Sequence, residues 1–213
     1  MPYHLDAMHV KDIPEVVQIE RESFSMTWPA NSYKRELEQN RMARYVVLRY
    51  QPGFGEPPLP PSAPQPKRPF PLSLLPLPPP ERPADDERHS AVVGYGGLWL
   101  MVDEAHITSI AVKPEFRGRG LGKLLMLSLF DCALRMNVRW LTLEARVGNR
   151  VARALYEQLG FREAGIRPRY YTDNGEDAVV MWSEDLRTPR FRERYARLKE
   201  ELASRLTWTS SFP

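Results

Sequence analysis

The hydrophobic pattern divides the chain into short elements of alternating type. Asp12 stands where a helix cap belongs, with Pro14 and Glu15 in the first turn, and Val16, Val17 and Ile19 then form one apolar face. A Ser/Thr/Trp/Pro break at 25–29 precedes a second predicted helix from Asn31 to Gln39. Arg44 to Tyr50 is β-branched and aromatic enough to predict a strand, as are 91–101 and 104–112, with Val102-Asp103 as the turn between them. From Gly120 to Met136, residues Leu121, Leu124, Leu125, Leu129, Ala133 and Met136 recur at helical spacing. A strand over 139–146, a helix over 149–159 stopped by Gly160, and strands over 161–164 and 177–182 follow. The two last strands are expected to flank a Tyr-, Arg- and Pro-rich loop, and a charged amphipathic helix is expected over 190–206. The pattern predicts a mixed α/β chain (α+β) with a largely antiparallel sheet.

Composition changes this picture at one place. Residues 52–83 hold 14 of the 21 prolines. Proline fixes φ and removes the amide donor, so this stretch predicts neither helix nor central strand. It reads as a proline-rich, disordered or polyproline-II insertion between two adjacent strands, spanning 52–90 at its widest. Loop closure costs grow slowly with length, so a fold tolerates such an insertion. PxxP spacings such as Pro58 to Pro61 leave an SH3-type ligand as the alternative to a linker. The expected organisation is one domain over 1–185, interrupted by the insertion, and a helical tail over 186–213.

Charge and cysteine content narrow the function. The net charge is +3, with 30 Lys and Arg spread along the chain. A nucleic-acid binder clusters its basic residues, so specific nucleic-acid binding is not expected, whereas an anionic cofactor fits. The single cysteine, Cys132, excludes an internal disulfide and falls within an apolar helical pattern. The first residues lack the apolar core of a signal peptide, and no run approaches the ~18 apolar residues of a membrane helix. A cytoplasmic protein with no membrane partner is the expectation.

The candidate chemistry begins at Arg117-Gly118-Arg119-Gly120-Leu121-Gly122-Lys123, between the strand ending Ile110-Ala111-Val112 and the long helix. A helix start carries about half a positive elementary charge and several unpaired amides. Glycines let that backbone close around a phosphate, and Arg117, Arg119 and Lys123 add mobile charge. Neither the nucleotide P-loop spacing nor the dinucleotide GxGxxG spacing is present.

This loop, in this place, resembles that of the GNAT acetyltransferase family. The resemblance implies that the loop holds the pyrophosphate of acetyl-CoA. It also implies that Ile110, Ala111 and Val112 offer main-chain bonds to its acetyl end, on a strand splayed from its neighbour. Downstream, Leu143-Glu144-Ala145-Arg146-Val147-Gly148-Asn149, Ala152 and Leu155-Tyr156-Glu157-Gln158-Leu159-Gly160-Phe161 are similar to the bacterial subfamily that acetylates the N-terminal alanine of a small-subunit ribosomal protein. Tyr170-Tyr171 and Glu176-Asp177-Ala178 match it too. The resemblance covers roughly 3–50 and 91–183. It implies a cofactor contact for Asn149 and an acceptor groove lined by Tyr170 and Tyr171, with Phe24 and Trp28 opposite.

The residues themselves fit acyl transfer to an amine. An N-terminal amine titrates near ~7.7–8, so a base must take its proton. Glu144 sits on a strand where Leu141 and Leu143 alternate with it, which turns its carboxylate toward the other face. Tyr156 keeps its proton to about pH 10 and serves the leaving thiolate. Backbone amides of the preceding strand serve the oxyanion. Other readings remain open here: a solvent-facing strand carboxylate for Glu144, a packed helix-face aromatic for Tyr156, a plain helix cap for Asn149, buried aromatics that anchor a loop for Tyr170 and Tyr171, and for His106 either an alternative base or a bonded, half-buried strand histidine. No metal is expected. The acceptor is expected to be a ribosomal-protein N-terminus, with other N-termini, small amines or a non-catalytic acyl-CoA-binding module as alternatives. The sequence does not set the oligomeric state.

Overall fold

The computed structural model describes residues 2–52 and 90–212. The proline-rich insertion expected at 52–90 lies, apart from its two ends, outside the described residues. In chain order the elements are β1 (Tyr3–Ala7), α1 (Ile13–Ser23), α2 (Ala30–Gln39), β2 (Ala43–Tyr50), β3 (Ala91–Leu100), β4 (Glu104–Val112), α3 (Leu121–Arg135), β5 (Trp140–Arg146), α4 (Arg150–Gln158), β6 (Arg162–Tyr171), β7 (Glu176–Trp182), α5 (Pro189–Ala203) and β8 (Trp208–Ser210). The expected helices and strands form, with ends shifted by a residue or two at most sites.

The eight strands make one sheet in the order β6-β7-β5-β4-β3-β2-β1-β8. Only β4–β5 and β1–β8 are parallel. One apolar cluster joins α1 and α2 to Tyr45, Val47, Val92 and Tyr95 on one side of the sheet. A larger one joins α3 to Val46, Leu48, Val93 and Leu143 on the other. The sheet is therefore flanked by helices, a mixed and mostly antiparallel architecture.

Four details depart from the sequence reading. Asp12 stands at the N-cap of α1, but its side chain accepts the His9 N–H at 2.9 Å and pairs with Arg49 at 2.8 Å. β1 and β8 were not expected; each is short, and β8 adds only three residues to the edge of β1. The strand expected over 161–164 runs on to Tyr171, so Tyr170 and Tyr171 end a strand and do not sit in a loop. Its charges, Gly165 and Pro168 suggested a loop because β6 is an edge strand, where exposed side chains and proline are tolerated. Pairing with β7 skips from Arg167 to Tyr171, and Arg169 has φ 51°, so the proline sits in an irregular stretch.

The tail packs onto the domain. Buried residues of α3 fall on nearly every side of the helix, a pattern that calls for cover on two faces. α5 supplies the second: Phe191 and Leu202 are buried, Phe191 packs on Phe130, and Tyr195 and Lys199 both bond Asp131. Because α5 runs along α3 in reverse, its C-terminal end lies beside the start of α3.

Candidate active site

The strand pair β4–β5 opens in the middle of the sheet. Pairing runs from Glu104↔Trp140 to Ile107↔Leu143 and stops there, although β4 continues to Val112 and β5 to Arg146. A bulge at Thr108 accompanies the parting, since Gly97 faces Ser109 while Leu98 faces Ile107. The gap leaves backbone groups of 108–112 without a strand partner on the β5 side. A cleft of about 450 Å³ occupies it.

The cleft gathers residues from distant parts of the chain. Ile110, Glu144, Asn149, Tyr156, Phe24, Trp28, Tyr170 and Tyr171 all line it, as expected of them from the sequence. His106, Met26, Trp99, Thr108 and Arg146 line it as well. Ala111 does not: its side chain is buried in the α1 cluster, which leaves only its main chain for a ligand.

Glu144 is held from two sides. Its Oε2 lies 3.0 Å from Nε2 of His106, and its Oε1 lies 2.9 Å from Nη1 of Arg167. Only 8% of its side chain is exposed. The hydrogen bond from His106, with the charges of His106 and Arg167, holds the carboxyl below its ordinary range despite burial. The carboxylate is therefore ionised throughout the neutral range. His106 is bonded through both ring nitrogens, with Nδ1 3.0 Å from the Thr142 hydroxyl. The sequence reading of His106 as a bonded strand histidine fits, but not the pairing with Glu144. The two lie on different strands, and only the register His106↔Thr142 brings them together.

Tyr156, on α4, is 7% exposed and packs on Phe161. Burial, and the neighbouring Tyr171, push its pKa up to about 12. Tyr171 is likewise pushed up to about 12 by burial, against the opposing effect of Arg146.

A second group fixes the α1–α2 segment that forms one wall. Glu20, 3% exposed, accepts from the Trp28 N–H at 2.8 Å and from the hydroxyls of Tyr33 at 2.7 Å and Tyr95 at 2.9 Å. Burial first, then the charge on Glu20, raises the pKa of Tyr95, so these phenols stay donors. Trp28 in turn packs on Trp99. Sequence patterning placed Glu20 on a helix but gave no sign of this role.

The loop at 117–122 has the shape an anion requires. Gly118 and Gly120 have φ of +75° and +82°, the left-handed region that favours glycine. Gly120 caps α3 without any side-chain cap, so among the described residues the first amides of the helix are served by no side chain. Arg119 and Arg117 stand beside them, the latter bonded to the Val112 carbonyl and the Ser23 hydroxyl at 2.9 Å. Lys123 lies 3.4 Å from Glu201 of α5. Leu121 contributes only its backbone, because its side chain is in the core. Asn149 caps α4, its Oδ1 accepting from Ala152 N–H at 3.1 Å, which leaves its amide group for a ligand in the cleft. These residues fit the phosphates and pantetheine arm of a coenzyme A thioester. No group of three or more His, Cys, Asp or Glu that could hold a metal occurs among the described residues, and no helix among them is long and apolar enough to cross a membrane.

Known proteins resemble this chain in sequence and fold. Residues 55–161 match the Acetyltransferase (GNAT) family. A Bacillus subtilis (strain 168) protein, provisionally named a ribosomal protein bS18-alanine N-acetyltransferase, is 35% identical over 175 residues, covering 82% of this chain and 91% of its own length. The ribosomal protein bS18-alanine N-acetyltransferase of Escherichia coli (strain K12) is 46% identical over 84 residues, 38% of this chain and 57% of its own. The crystal structure of the ribosomal-protein-S18-alanine N-acetyltransferase from Escherichia coli superposes with a TM-score of 0.60 at 26% identity, over 85% of this chain and 92% of that one.

Proposed function

This chain belongs to the GNAT family of N-acetyltransferases, and on that premise we propose that it moves the acetyl group of acetyl-CoA directly onto the N-terminal amine of a protein, the alanine of a small-subunit ribosomal protein being the first candidate. The observation that carries this reading is the cleft at the parting of β4 and β5. It places a buried carboxylate, a buried phenol and two aromatic walls around one gap. The names of the relatives supply the candidate acceptor.

In this reading the loop 117–122 and the start of α3 hold the pyrophosphate, and the exposed main chain of β4 beyond Ile107 holds the thioester. The amine enters between Phe24 and Trp28 on one side and Tyr170 and Tyr171 on the other. It attacks the acetyl carbon, and amides of β4 take the developing oxyanion. Glu144 then accepts the proton from nitrogen. A carboxylate held below its usual range is a weak base, but a nitrogen that has just bonded to carbon is acidic, so a weak base suffices. Tyr156 faces the departing sulfur. A phenol near 12 beside a thiol near ~8.5 makes complete proton transfer uphill by roughly 5 kcal/mol, so the hydroxyl acts first as a hydrogen-bond donor to the thiolate.

Tyr156→Phe is expected to lower kcat by about ten- to a thousand-fold while acetyl-CoA binding stays intact, because the ring keeps its packing on Phe161. Wild-type turnover in that variant would remove Tyr156 from the mechanism.

The pH profile follows from the same charges. Glu144 is already ionised at neutral pH, so the group that must lose a proton as pH rises is the acceptor amine. The kcat/KM for a peptide should climb with a midpoint of about 8, and should shift with the pKa of the peptide. A midpoint of about 5, independent of the peptide, would contradict this assignment.

A second reading concerns breadth. The wall built by Phe24, Met26, Trp28 and Trp99 offers more apolar surface than an alanine methyl can cover. Peptides differing only in the first residue separate the two. A rate for Ala at least about tenfold above Met or Leu supports the ribosomal acceptor, and near-equal rates support a broad N-terminal acetyltransferase.

A further inference from the structure

The two walls of the cleft come from distant segments. One is 24–29, between α1 and α2, and the other is the end of β6, Tyr170 and Tyr171, held by the turn 172–175 that follows it. Neither belongs to an element that pairs with the other. One side chain bonds to both of them. Arg146, the last residue of β5, donates through Nη2 to Ser25 Oγ at 3.0 Å and to both carboxylate oxygens of Asp173 at 2.9 Å. Through Nη1 it reaches Asn174 Oδ1 at 3.0 Å and Glu176 Oε2 at 3.1 Å. Its guanidinium lies 3.9 Å from the centroid of the Tyr171 ring. Ser25 also donates directly to Asp173, and Thr172 donates to the sulfur of Met26 at 3.2 Å. The second oxygen of Glu176 accepts the Gly148 N–H at 2.8 Å, which fixes the turn to the end of β5.

We infer that Arg146 is a positioning residue that ties the two walls together across the cleft, and so sets the affinity for the acceptor. The inference rests on the proposed acceptor site. Geometry favours it over a general stabilising role. Partly exposed ion pairs contribute little to stability, and here the side chains of Arg146 and Asp173 are 25% and 18% exposed. What a planar guanidinium adds is direction: Nη2 serves Asp173 and Ser25, Nη1 serves Asn174 and Glu176, and the plane lies over the Tyr171 ring. A lysine has the charge but not the fork. The residues so fixed, Ser25 and Tyr171, are the neighbours of Phe24 and Tyr170, which line the cleft.

The test compares wild type with Arg146→Lys, Asp173→Asn and Ser25→Ala, using a peptide with a free N-terminus. Three quantities are measured: steady-state constants, acetyl-CoA affinity by titration, and amide hydrogen exchange at 24–29 and 172–175. The peptide KM should rise about tenfold or more in Arg146→Lys and at least about threefold in Asp173→Asn. kcat should change less than KM, acetyl-CoA affinity should hold, and both walls should exchange faster. A large effect of Arg146→Lys with none in Asp173→Asn or Ser25→Ala would overturn the inference, because Arg146 would then be touching the acceptor itself. Equal losses in peptide and acetyl-CoA affinity would overturn it too. If wild type acetylates no N-terminal peptide, the proposed acceptor is wrong. The exchange measurement then decides the bridge alone: faster exchange supports it and unchanged exchange overturns it.

Discussion

Glu144→Gln is expected to lower kcat by about ten- to a thousand-fold and to leave acetyl-CoA affinity unchanged. The substitution keeps volume and removes one charge. The carboxylate is a hub for two donors, His106 at 3.0 Å and Arg167 at 2.9 Å, and both lose their anion. The loop proposed to hold the pyrophosphate lies on a different element, at the start of α3, so binding there should not be disturbed. Turnover at the wild-type rate would remove Glu144 from the proton path. His106→Gln separates the two groups further. With Glu144 as the acceptor of the proton, His106 acts by holding it, and its loss should cost less than the loss of Glu144. A larger loss at His106 would make the histidine the base.

Gly120→Val is expected to abolish acetyl-CoA binding, a fall of at least about a hundredfold. At φ +82° a β-branched side chain is strained, and its Cβ would stand 3.2 Å from Leu202 Cδ1. The left-handed conformation alone costs about 1–2 kcal/mol away from glycine. Relief of that strain turns the amides at the start of α3 away from the phosphates, and each charge-assisted bond lost is worth roughly 1.5–3 kcal/mol. Gly118→Ala is the matched control for strain without a clash, since a Cβ there meets nothing within 4 Å although φ is +75°. It should weaken binding by a smaller factor. If Gly120→Val binds acetyl-CoA nearly as wild type does, the loop is not the phosphate site.

The fold was readable wherever periodicity was strong. The apolar spacing of 120–136 and the β-branched runs at 44–50 and 104–112 predict elements that form nearly as expected. The pattern failed where a strand lies at an edge. In 162–171 the side chains face solvent, so neither alternation nor apolar content marks the strand. It also missed what α5 covers, because the need for cover lies in α3: Leu127 and Phe130 are buried on the side away from the sheet-facing stripe. The site divides in the same way. Resemblance to the family's motifs pointed to Glu144, Tyr156 and Asn149, which line the cleft, and to the glycine loop at the start of α3. It gave no hint of Glu20 under Trp28, of His106 beside Glu144, or of Arg146 between Ser25 and Asp173. Those pairings join residues 8, 38 and 121 or 27 positions apart, and only strand register and loop packing create them.

One measurement tests the central claim most directly. A peptide carrying both a free N-terminal alanine and an internal lysine is incubated with acetyl-CoA and the wild-type chain, and the acetyl group is located by tandem mass spectrometry. The account predicts acetyl on the α-amine alone, appearing at a rate that depends on Glu144. Acetyl confined to the lysine side chain would contradict it.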